Sequence, residues 1–328
     1  MLSSIAISAT CASHSERALP ARLSDEEFWS LSTRLSEPAG VFRHSDNLVS
    51  NEELFAHTIR LLRPRQGVYI GVGPEQNFSY IARLQPAMAF VIDIRRENRN
   101  LHLWYKALFE ASADRADFVS RLFSRERPAG LDAGSPVHEL FTAFAAAKPS
   151  ASLYEANAPA VRERLLDAHR FPLTPEDLRS IDDVIRAFYS DGPEIHYARL
   201  RPEDAIGPSY RALMTATDAR GVGRSYLASE DAFAFVKDLQ VRNLLVPVVG
   251  DFGGPDAIRG VGDYIRQQGS VVSAFYSSNV EVYLSKEQMA GFCAGLATLP
   301  YESRTWFIRS KDVRPLATKL KTCSPGKP

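Results

Sequence analysis

Two glycines and an aspartate have the types and the spacing of a nucleotide-binding turn. Gly71 and Gly73 follow an apolar run in GVYIGVGPEQNF, and neither has a side chain that would keep a ligand from the backbone. Asp93 ends the next apolar run, 20 positions after Gly73, where its carboxylate can accept hydrogen bonds from a ribose hydroxyl pair. The glycines also suit a purely structural turn, and Asp93 also suits a surface ion pair with Arg95 or Arg96. We expect a ligand site here.

The residues after the glycines argue against a dinucleotide. The dinucleotide pattern requires a third glycine at position 76, where this chain has Gln76. Glu75 beside the turn would repel a pyrophosphate, whereas it would tolerate a cationic ligand. The turn therefore suits a ligand without a pyrophosphate better than it suits NAD.

The same stretch resembles the first motif of class I S-adenosylmethionine-dependent methyltransferases, acid-x-G-x-G-x-G, which is followed by a second strand that ends in an acid. Gly71, Gly73 and Asp93 match this pattern, while Tyr69 and Glu75 stand at its first acid and its third glycine. The resemblance implies a Rossmann-like fold, S-adenosylmethionine as the cofactor, and transfer of its methyl group to an acceptor that the sequence does not identify.

The resemblance also implies roles for further residues. Glu75 and Asn77 belong to the turn and would contact the cofactor, unless Asn77 only faces solvent in the first turn of the next helix. Such methyltransferases often place an acid at the end of their third strand beside the adenine, and SYLASEDAF offers Glu230 or Asp231 at that position. Asp251 in VPVVGDFGG corresponds to the motif that ends their fourth strand near the substrate.

The later apolar runs end in residues that could act on the acceptor. We expect Asp251 at the end of the strand that neighbours the first strand, with its carboxylate in the crevice at the carboxyl ends of the strands. There it would orient the acceptor or remove its proton, or it would only cap the helix that starts at Pro255. Tyr276 and Asn279 in FYSSNVE are further catalytic candidates in the same crevice, unless they form only a hydrogen-bonded turn.

Several segments together are similar to an uncharacterised bacterial family with a methyltransferase-like fold. The segments are SDNLVSNE, GVGPEQNFSYI, DIRREN, VPVVGDFGG, FYSSNVE and FIRS, and the similarity runs from about residue 35 to residue 310. It implies a fold and leaves the reaction open. The rival interpretation is a non-catalytic protein whose sheet binds a nucleoside-like ligand or serves as an interaction scaffold.

The elements that must position these residues indicate an α/β fold with a doubly wound, mostly parallel sheet. Short continuous apolar runs predict strands buried on both faces, at residues 68–70, 89–92, 225–228, 244–249, 271–276 and 305–309. Capped helical patterns, such as SDEEFWSLSTRL after Ser24, lie between and before them. Residues 98–215 have only helical patterns, which predicts a helical insertion between the second and third strands.

Composition and length bound the domain organisation and the partners. The 328 residues predict a flexible segment at 1–24, one α/β domain with N-terminal helices at 25–310, and a tail at 311–328. A net charge of +0 gives no overall field for nucleic acid or an anionic membrane, so we expect neither as a partner, and we expect a small-molecule cofactor with an acceptor of unknown kind. No run approaches the roughly 18 apolar residues that a membrane span needs.

The cysteines and histidines indicate neither a disulfide framework nor a metal site. Cys11, Cys293 and Cys323 are odd in number and widely separated. The chain start has no Lys or Arg before Arg17, which makes a poor signal peptide, so we expect a reducing, cytoplasmic location. The seven histidines form no H-x-x-x-H or H-E-x-x-H pair, so we expect no metal.

Overall fold

The structure is a computed structural model of the chain, and it describes residues 18–42, 47–198 and 206–323. Residues 1–17 of the expected flexible segment, with Cys11, and residues 324–328 of the expected tail lie outside the described residues. Residues 18–24 lead into the first helix. Within them, Leu23 is buried and its N–H donates to the carbonyl oxygen of Arg242 at 3.0 Å.

The apolar runs form the strands of a central sheet. The strands are β1 (Val68–Gly71), β2 (Met88–Asp93), β3 (His196–Ala198), β4 (Ile206–Ser209), β5 (Leu245–Val249), β6 (Val272–Ser278), β7 (Tyr301–Arg309) and β8 (Asp312–Pro315). Within the described residues, six of them form one sheet in the order β5-β2-β1-β6-β7-β8, and β3 pairs separately with β4. Neighbours in the large sheet are parallel except for β7 and β8. Every residue of β1, β2 and β5 is buried, which is why their sequences are continuously apolar.

Helices cover both faces of this sheet. They are α1 (Asp25–Arg34), α2 (Phe55–Arg60), α3 (Gln76–Leu84), α4 (Arg96–Ala111), α5 (Arg115–Phe123), α6 (Val137–Ala146), α7 (Ala151–Arg162), α8 (Pro175–Asp191), α9 (Tyr210–Thr215), α10 (Glu230–Val241), α11 (Ala257–Gln267), α12 (Lys286–Ala297) and α13 (Leu316–Cys323). Crossovers between parallel strands are right-handed, so α3 and α4 lie on one face of the sheet, and α11 and α12 lie on the other. The predicted α/β fold with a mostly parallel sheet is confirmed.

Several helices begin where their capping residues predict. Ser24 and Ser285 each form a capping box with the residue three positions later, and Ser229 accepts a hydrogen bond from the N–H of Ala232. The second helix, α2, begins at Phe55. The residues before it form a loop along the carboxyl ends of the strands.

The predicted strand at residues 225–228 is wrong. These residues form turns, with Tyr226 and Leu227 buried. The ring of Tyr226 packs edge-on against Phe78 of α3, with 5.3 Å between ring centroids, so the helical layer and not a neighbouring strand buries this apolar run. The insertion that we expected at residues 98–215 therefore extends through α10. It is not purely helical, because it contains the antiparallel pair β3 and β4. In chain order, β5 is the third strand of the large sheet.

The expected tail contains structure. Residues 312–323 form β8, which pairs antiparallel with β7, and α13, whose Leu316 is buried. The ammonium group of Lys319 lies over the rings of Phe292 and Phe307, at 5.8 and 5.5 Å from their centroids. Contacts between residues so far apart in the chain cannot be predicted from the sequence of a short segment with many polar residues.

A disulfide bond joins Cys293 of α12 to Cys323 at the end of α13. The prediction that the cysteines form no disulfide is therefore wrong for this pair. The two cysteines are 30 positions apart in the chain, and only the packing of α12 against α13 brings them together. The spacing of cysteines alone could not identify this pair.

Candidate functional site

A cavity of about 180 Å³ lies at the carboxyl ends of β1, β2, β5 and β6. This is the edge where doubly wound sheets bind ligands, near the point where the strand order reverses between β1 and β6. Five of the predicted site residues line it: Gly73, Asp93, Asp251, Tyr276 and Asn279. The sheet therefore brings together residues that are as far as 206 positions apart in the sequence.

The glycine turn after β1 presents its backbone to the cavity at Gly73. This residue has φ +78°, a left-handed conformation, and no atom lies within 4 Å of where a Cβ would be. His102 stabilises the turn by a hydrogen bond, because its Nε2 lies 2.9 Å from the carbonyl oxygen of Gly73. Burial lowers the pKa of His102 to about 4, so the ring is neutral and donates this bond from Nε2.

Gly71 and Asn77 have a structural role in the same turn and do not line the cavity. A Cβ at Gly71 would overlap the Oδ1 atom of Asn77. The amide nitrogen of Asn77 donates to the carbonyl oxygens of Val72, Gly73 and Pro74 at 3.0, 3.1 and 2.7 Å. Asn77 thus holds the turn closed, and Gly71 leaves the space for it.

Glu75 is also buried behind the turn and does not line the cavity. Both of its carboxylate oxygens lie 3.1 Å from the N–H of Ser50, which donates to them. Burial raises the pKa of Glu75 to about 8, and the hydrogen bonds from backbone N–H groups offset only part of this. Its contact with the loop before α2 places Ser50 and Asn51 in the cavity wall.

Asp93 lies at the end of β2, in the cavity wall and in an ion pair. Its Oδ1 accepts hydrogen bonds from the backbone N–H and the Nε of Arg95, at 2.9 and 3.2 Å. The guanidinium of Arg95 also reaches the carbonyl oxygen of Asn47 at 3.4 Å, and both residues line the cavity. Asp93 therefore does pair with Arg95, but the pair is buried in the cavity wall and not on the protein surface, so it is compatible with a ligand site.

Asp251 lies next to Asp93 and not across the crevice. We expected its strand to neighbour β1, but β5 pairs with β2, and the N–H of Gly250 donates to the carbonyl oxygen of Asp93 at 2.8 Å. The side chain of Asp251 accepts from the N–H of Gly253 at 2.8 Å and from the amide of Gln288 at 3.2 Å.

The capping alternative for Asp251 is also wrong. The helix after it, α11, begins at Ala257, and a residue that the sequence reasoning missed binds its first N–H groups. The carboxylate of Glu37 accepts from the N–H groups of Asp251, Asp256 and Ala257, at 2.9, 2.7 and 2.8 Å. Glu37 follows α1 by three positions, and no local pattern links it to residues more than 200 positions away.

Glu230 and Asp231 lie away from the cavity, because the strand that was expected to carry them does not exist. They form the first turn of α10. The carboxylate of Glu230 accepts from the N–H of Arg115 at 3.2 Å and lies 3.4 Å from its guanidinium. Asp231 is exposed. Neither residue lines the cavity.

The end of β6 forms the opposite side of the cavity. Tyr276, Ser278 and Asn279 line it, and Ser278 has φ 50°, an unusual conformation for a residue other than glycine. Burial raises the pKa of Tyr276 well above its usual range, so its phenol keeps its proton and can donate a hydrogen bond. Behind them lies Glu52, whose Oε1 accepts from the hydroxyls of Ser278 and Ser310. Glu52 lies in the segment SDNLVSNE.

An apolar wall closes the remaining side. Val41, Phe42, Tyr197, Val280, Tyr283 and Leu284 line it. The rings of Phe42 and Tyr283 meet edge to face, with 5.0 Å between their centroids. A cavity with acids on one side and aromatic rings on another can bind a ligand that has both polar and flat apolar parts.

Two kinds of site find no support in the described residues. No group of three or more His, Cys, Asp or Glu side chains there could hold a metal ion. None of the helices in that part of the chain combines the length and the apolar character needed to cross a lipid bilayer.

Comparison with models of protein families identifies the family of the chain. The sequence profile of a family described as Domain of unknown function (DUF7790) matches residues 47–169 and 196–324, which is more than half of the 328 residues. The matched ranges include Gly73, Asp93, Asp251 and Asn279. No curated protein matches the chain.

Proposed function

The chain belongs to the family described as Domain of unknown function (DUF7790), and from its cavity we propose that it binds S-adenosylmethionine and transfers the methyl group to an unidentified acceptor. One observation carries the proposal. The open glycine turn at Gly73 and the acids Asp93 and Asp251 surround one cavity at the carboxyl ends of the strands. In doubly wound folds this is the arrangement that binds a nucleoside.

The cavity walls suit different parts of the cofactor. Asp93, at the end of the strand that follows the glycine turn, would bind the ribose hydroxyls. Asp251 follows the third strand of the sheet, where the resemblance to methyltransferases places an acid beside the adenine. Gly73 would let the ligand approach the backbone, and the reactive end would then lie toward Tyr276 and Asn279.

The main contribution of the protein to the reaction would be to align the acceptor with the methyl group. S-adenosylmethionine supplies a methyl group on a cationic sulfur, so the acceptor needs only to approach it in line. Tyr276 and Asn279 can hold the acceptor by hydrogen bonds, since one donates and the other both donates and accepts. The apolar wall at Phe42 and Tyr283 excludes water from that side.

Calorimetric titration of the wild-type protein tests the proposal. We expect S-adenosylmethionine and S-adenosylhomocysteine to bind, with one site per chain, and NADH not to bind. Binding without methyl transfer to any of a panel of small acceptors would favour the rival, a non-catalytic ligand-binding protein. Absence of binding by both nucleosides would overturn the proposal, and binding of NADH alone would indicate an oxidoreductase.

The Asp93→Ala variant tests the ribose contact. We expect the affinity for S-adenosylhomocysteine to fall by about 1 to 3 kcal/mol, because a charged hydrogen-bond acceptor is removed. Calorimetry gives the affinity, and thermal unfolding shows whether the fold is intact. Asp263→Ala, which removes an exposed acid of α11, is the matched control and should bind as the wild type does. Equal affinities of the folded Asp93 and Asp263 variants would contradict the assignment.

The Asp251→Asn variant tests the position of Asp251 beside the adenine. Asparagine can still accept from Gly253, so the loop should persist, but the charged acceptor is lost. We expect S-adenosylmethionine and S-adenosylhomocysteine to bind more weakly by the same factor, about 5- to 20-fold. Unchanged affinity together with slower methyl transfer would instead place Asp251 on the acceptor side.

A further inference from the structure

The carboxyl end of β6 holds a buried acid whose described hydrogen-bond partners are all neutral. Glu52 is 3% exposed, and its Oε1 accepts from the hydroxyls of Ser278 and Ser310, the latter at 2.7 Å. Its Oε2 is buried and has no hydrogen-bond partner among the described residues. Neutral hydroxyls stabilise a charge without cancelling it, and the exposed ammonium of Lys311 acts on Glu52 only through space, so an ionised Glu52 still exerts a field on its surroundings.

Ser278 and Tyr276 connect Glu52 to the cavity, because both line it. The left-handed conformation of Ser278 is unfavourable for a residue with a Cβ, and its bond to Glu52 helps to hold it. Glu52 itself does not line the cavity, so a ligand there would be near its charge without direct contact. The protein groups between Glu52 and the ligand have a lower effective dielectric constant than water, so they weaken the attraction less than water would.

The rest of the described cavity wall does not compensate this charge. Asp93 and Arg95 pair with each other, and Asp251 has the N–H of Gly253 and the amide of Gln288 as partners. The described wall therefore has more acidic than basic groups, with Glu52 as a further acid behind it. A cavity of this kind favours a ligand that has a positive charge.

We propose that Glu52 makes the β6 end of the cavity selective for a cation and thereby determines a preference for S-adenosylmethionine over S-adenosylhomocysteine. The inference rests on the proposed function, which places these nucleosides in the cavity. The two compounds differ by one methyl group and the positive charge that it gives the sulfur. Their affinity ratio therefore measures how the site responds to a single charge.

The charge of Glu52 should depend on pH and on the ligand. Burial raises its pKa, and a nearby cation lowers it again because it stabilises the carboxylate. The titratable or polar groups that face Glu52 are the hydroxyls of Ser278 and Ser310, the phenols of Tyr69, Tyr80 and Tyr276, and the ammonium of Lys311. The phenols stay protonated, since burial raises their pKa values well above 10. Binding of the cation should thus release a proton from Glu52. The preference for S-adenosylmethionine should grow as the pH rises through the pKa that Glu52 has in the ligand-free protein.

Titration of both nucleosides into wild type, Glu52→Gln and Ser310→Ala tests the inference. Glutamine keeps an oxygen that accepts from the two serines and removes the charge, whereas Ser310→Ala removes one donor and keeps the charge. We expect wild type and Ser310→Ala to prefer S-adenosylmethionine by about tenfold or more, the order of one charge interaction at moderate distance in a protein. Glu52→Gln should lose most of this preference, with its affinity for S-adenosylhomocysteine unchanged within a factor of about two.

A second readout does not require a variant. Calorimetry in buffers of different ionisation enthalpy gives the number of protons released, and wild type should release more protons with S-adenosylmethionine than with S-adenosylhomocysteine. If wild type binds both compounds with equal proton release, or if folded Glu52→Gln keeps the preference, the inference is wrong and the proposed function stands. If wild type binds neither compound, both are wrong.

Discussion

A Gly73→Val variant is expected to lose measurable binding of S-adenosylmethionine and S-adenosylhomocysteine while it keeps its fold. The position of its Cβ is free of protein atoms within 4 Å, so the new side chain would occupy space that the cavity offers to the ligand. The φ of +78° adds a backbone penalty of about 1 to 2 kcal/mol for a residue with a Cβ. Calorimetric titration measures the loss of binding.

The Gly130→Val variant separates the backbone penalty from the loss of space for the ligand. Gly130 has φ +84° and equally open surroundings, but it lies in an exposed loop away from the cavity. Both variants should show a similar decrease in melting temperature, and only the Gly73 variant should lose the ligand. A Gly73→Val protein that binds within a factor of two of wild type would show that the turn is structural only.

The Glu75→Gln variant is expected to change how stability depends on pH. Glu75 has a pKa of about 8 in the folded protein, against an ordinary value of 4.5, so between these pH values the folded chain holds a proton that the unfolded chain has lost. The contribution of this group to stability is therefore full below pH 4.5 and decreases until about pH 8. At pH 8 the variant should be more stable than wild type by about 2 to 4 kcal/mol relative to their difference at pH 5.

Urea unfolding of both proteins at several pH values measures this difference. His102 works in the opposite direction, since its pKa of about 4 makes the folded state lose a proton that the unfolded state holds up to about pH 6.5. The difference between wild type and variant removes this common effect. Glu97→Gln, at an exposed position of α4, is the control for the substitution itself. If the difference between wild type and Glu75→Gln does not change with pH, Glu75 is ionised in the folded protein.

The buried position of Glu75 also changes the argument that the sequence supports. Its charge seemed to select a cation at the turn, but its carboxylate faces Ser50 and not the cavity. The acids that do surround the cavity are Asp93 and Asp251, with Glu52 behind the wall. The expectation of a cationic ligand persists, and it now depends on other residues.

The sequence by itself determined the parts that local chemistry controls. Continuous apolar runs identified the buried strands β1, β2, β5, β6 and the end of β7, because a strand covered on both faces needs apolar residues at every position. Capping residues such as Ser24 and Ser285 fixed helix starts, since their side chains bind N–H groups within the same turn. Gly73 and Asp93 were identifiable because a glycine turn and the acid after the next strand are one supersecondary unit.

Only the tertiary structure decided which residues share the cavity and which partners they have. An apolar run at residues 225–228 looks the same whether helices or strands bury it, so Glu230 was assigned to a site that it does not reach. The order of the strands in the sheet cannot be predicted from any single strand. In the structure β5 pairs with β2 and not with β1, so Asp251 lies beside Asp93. Glu52 and Glu37 bind groups more than 200 positions away, and such contacts exist only after the sheet and its loops have packed.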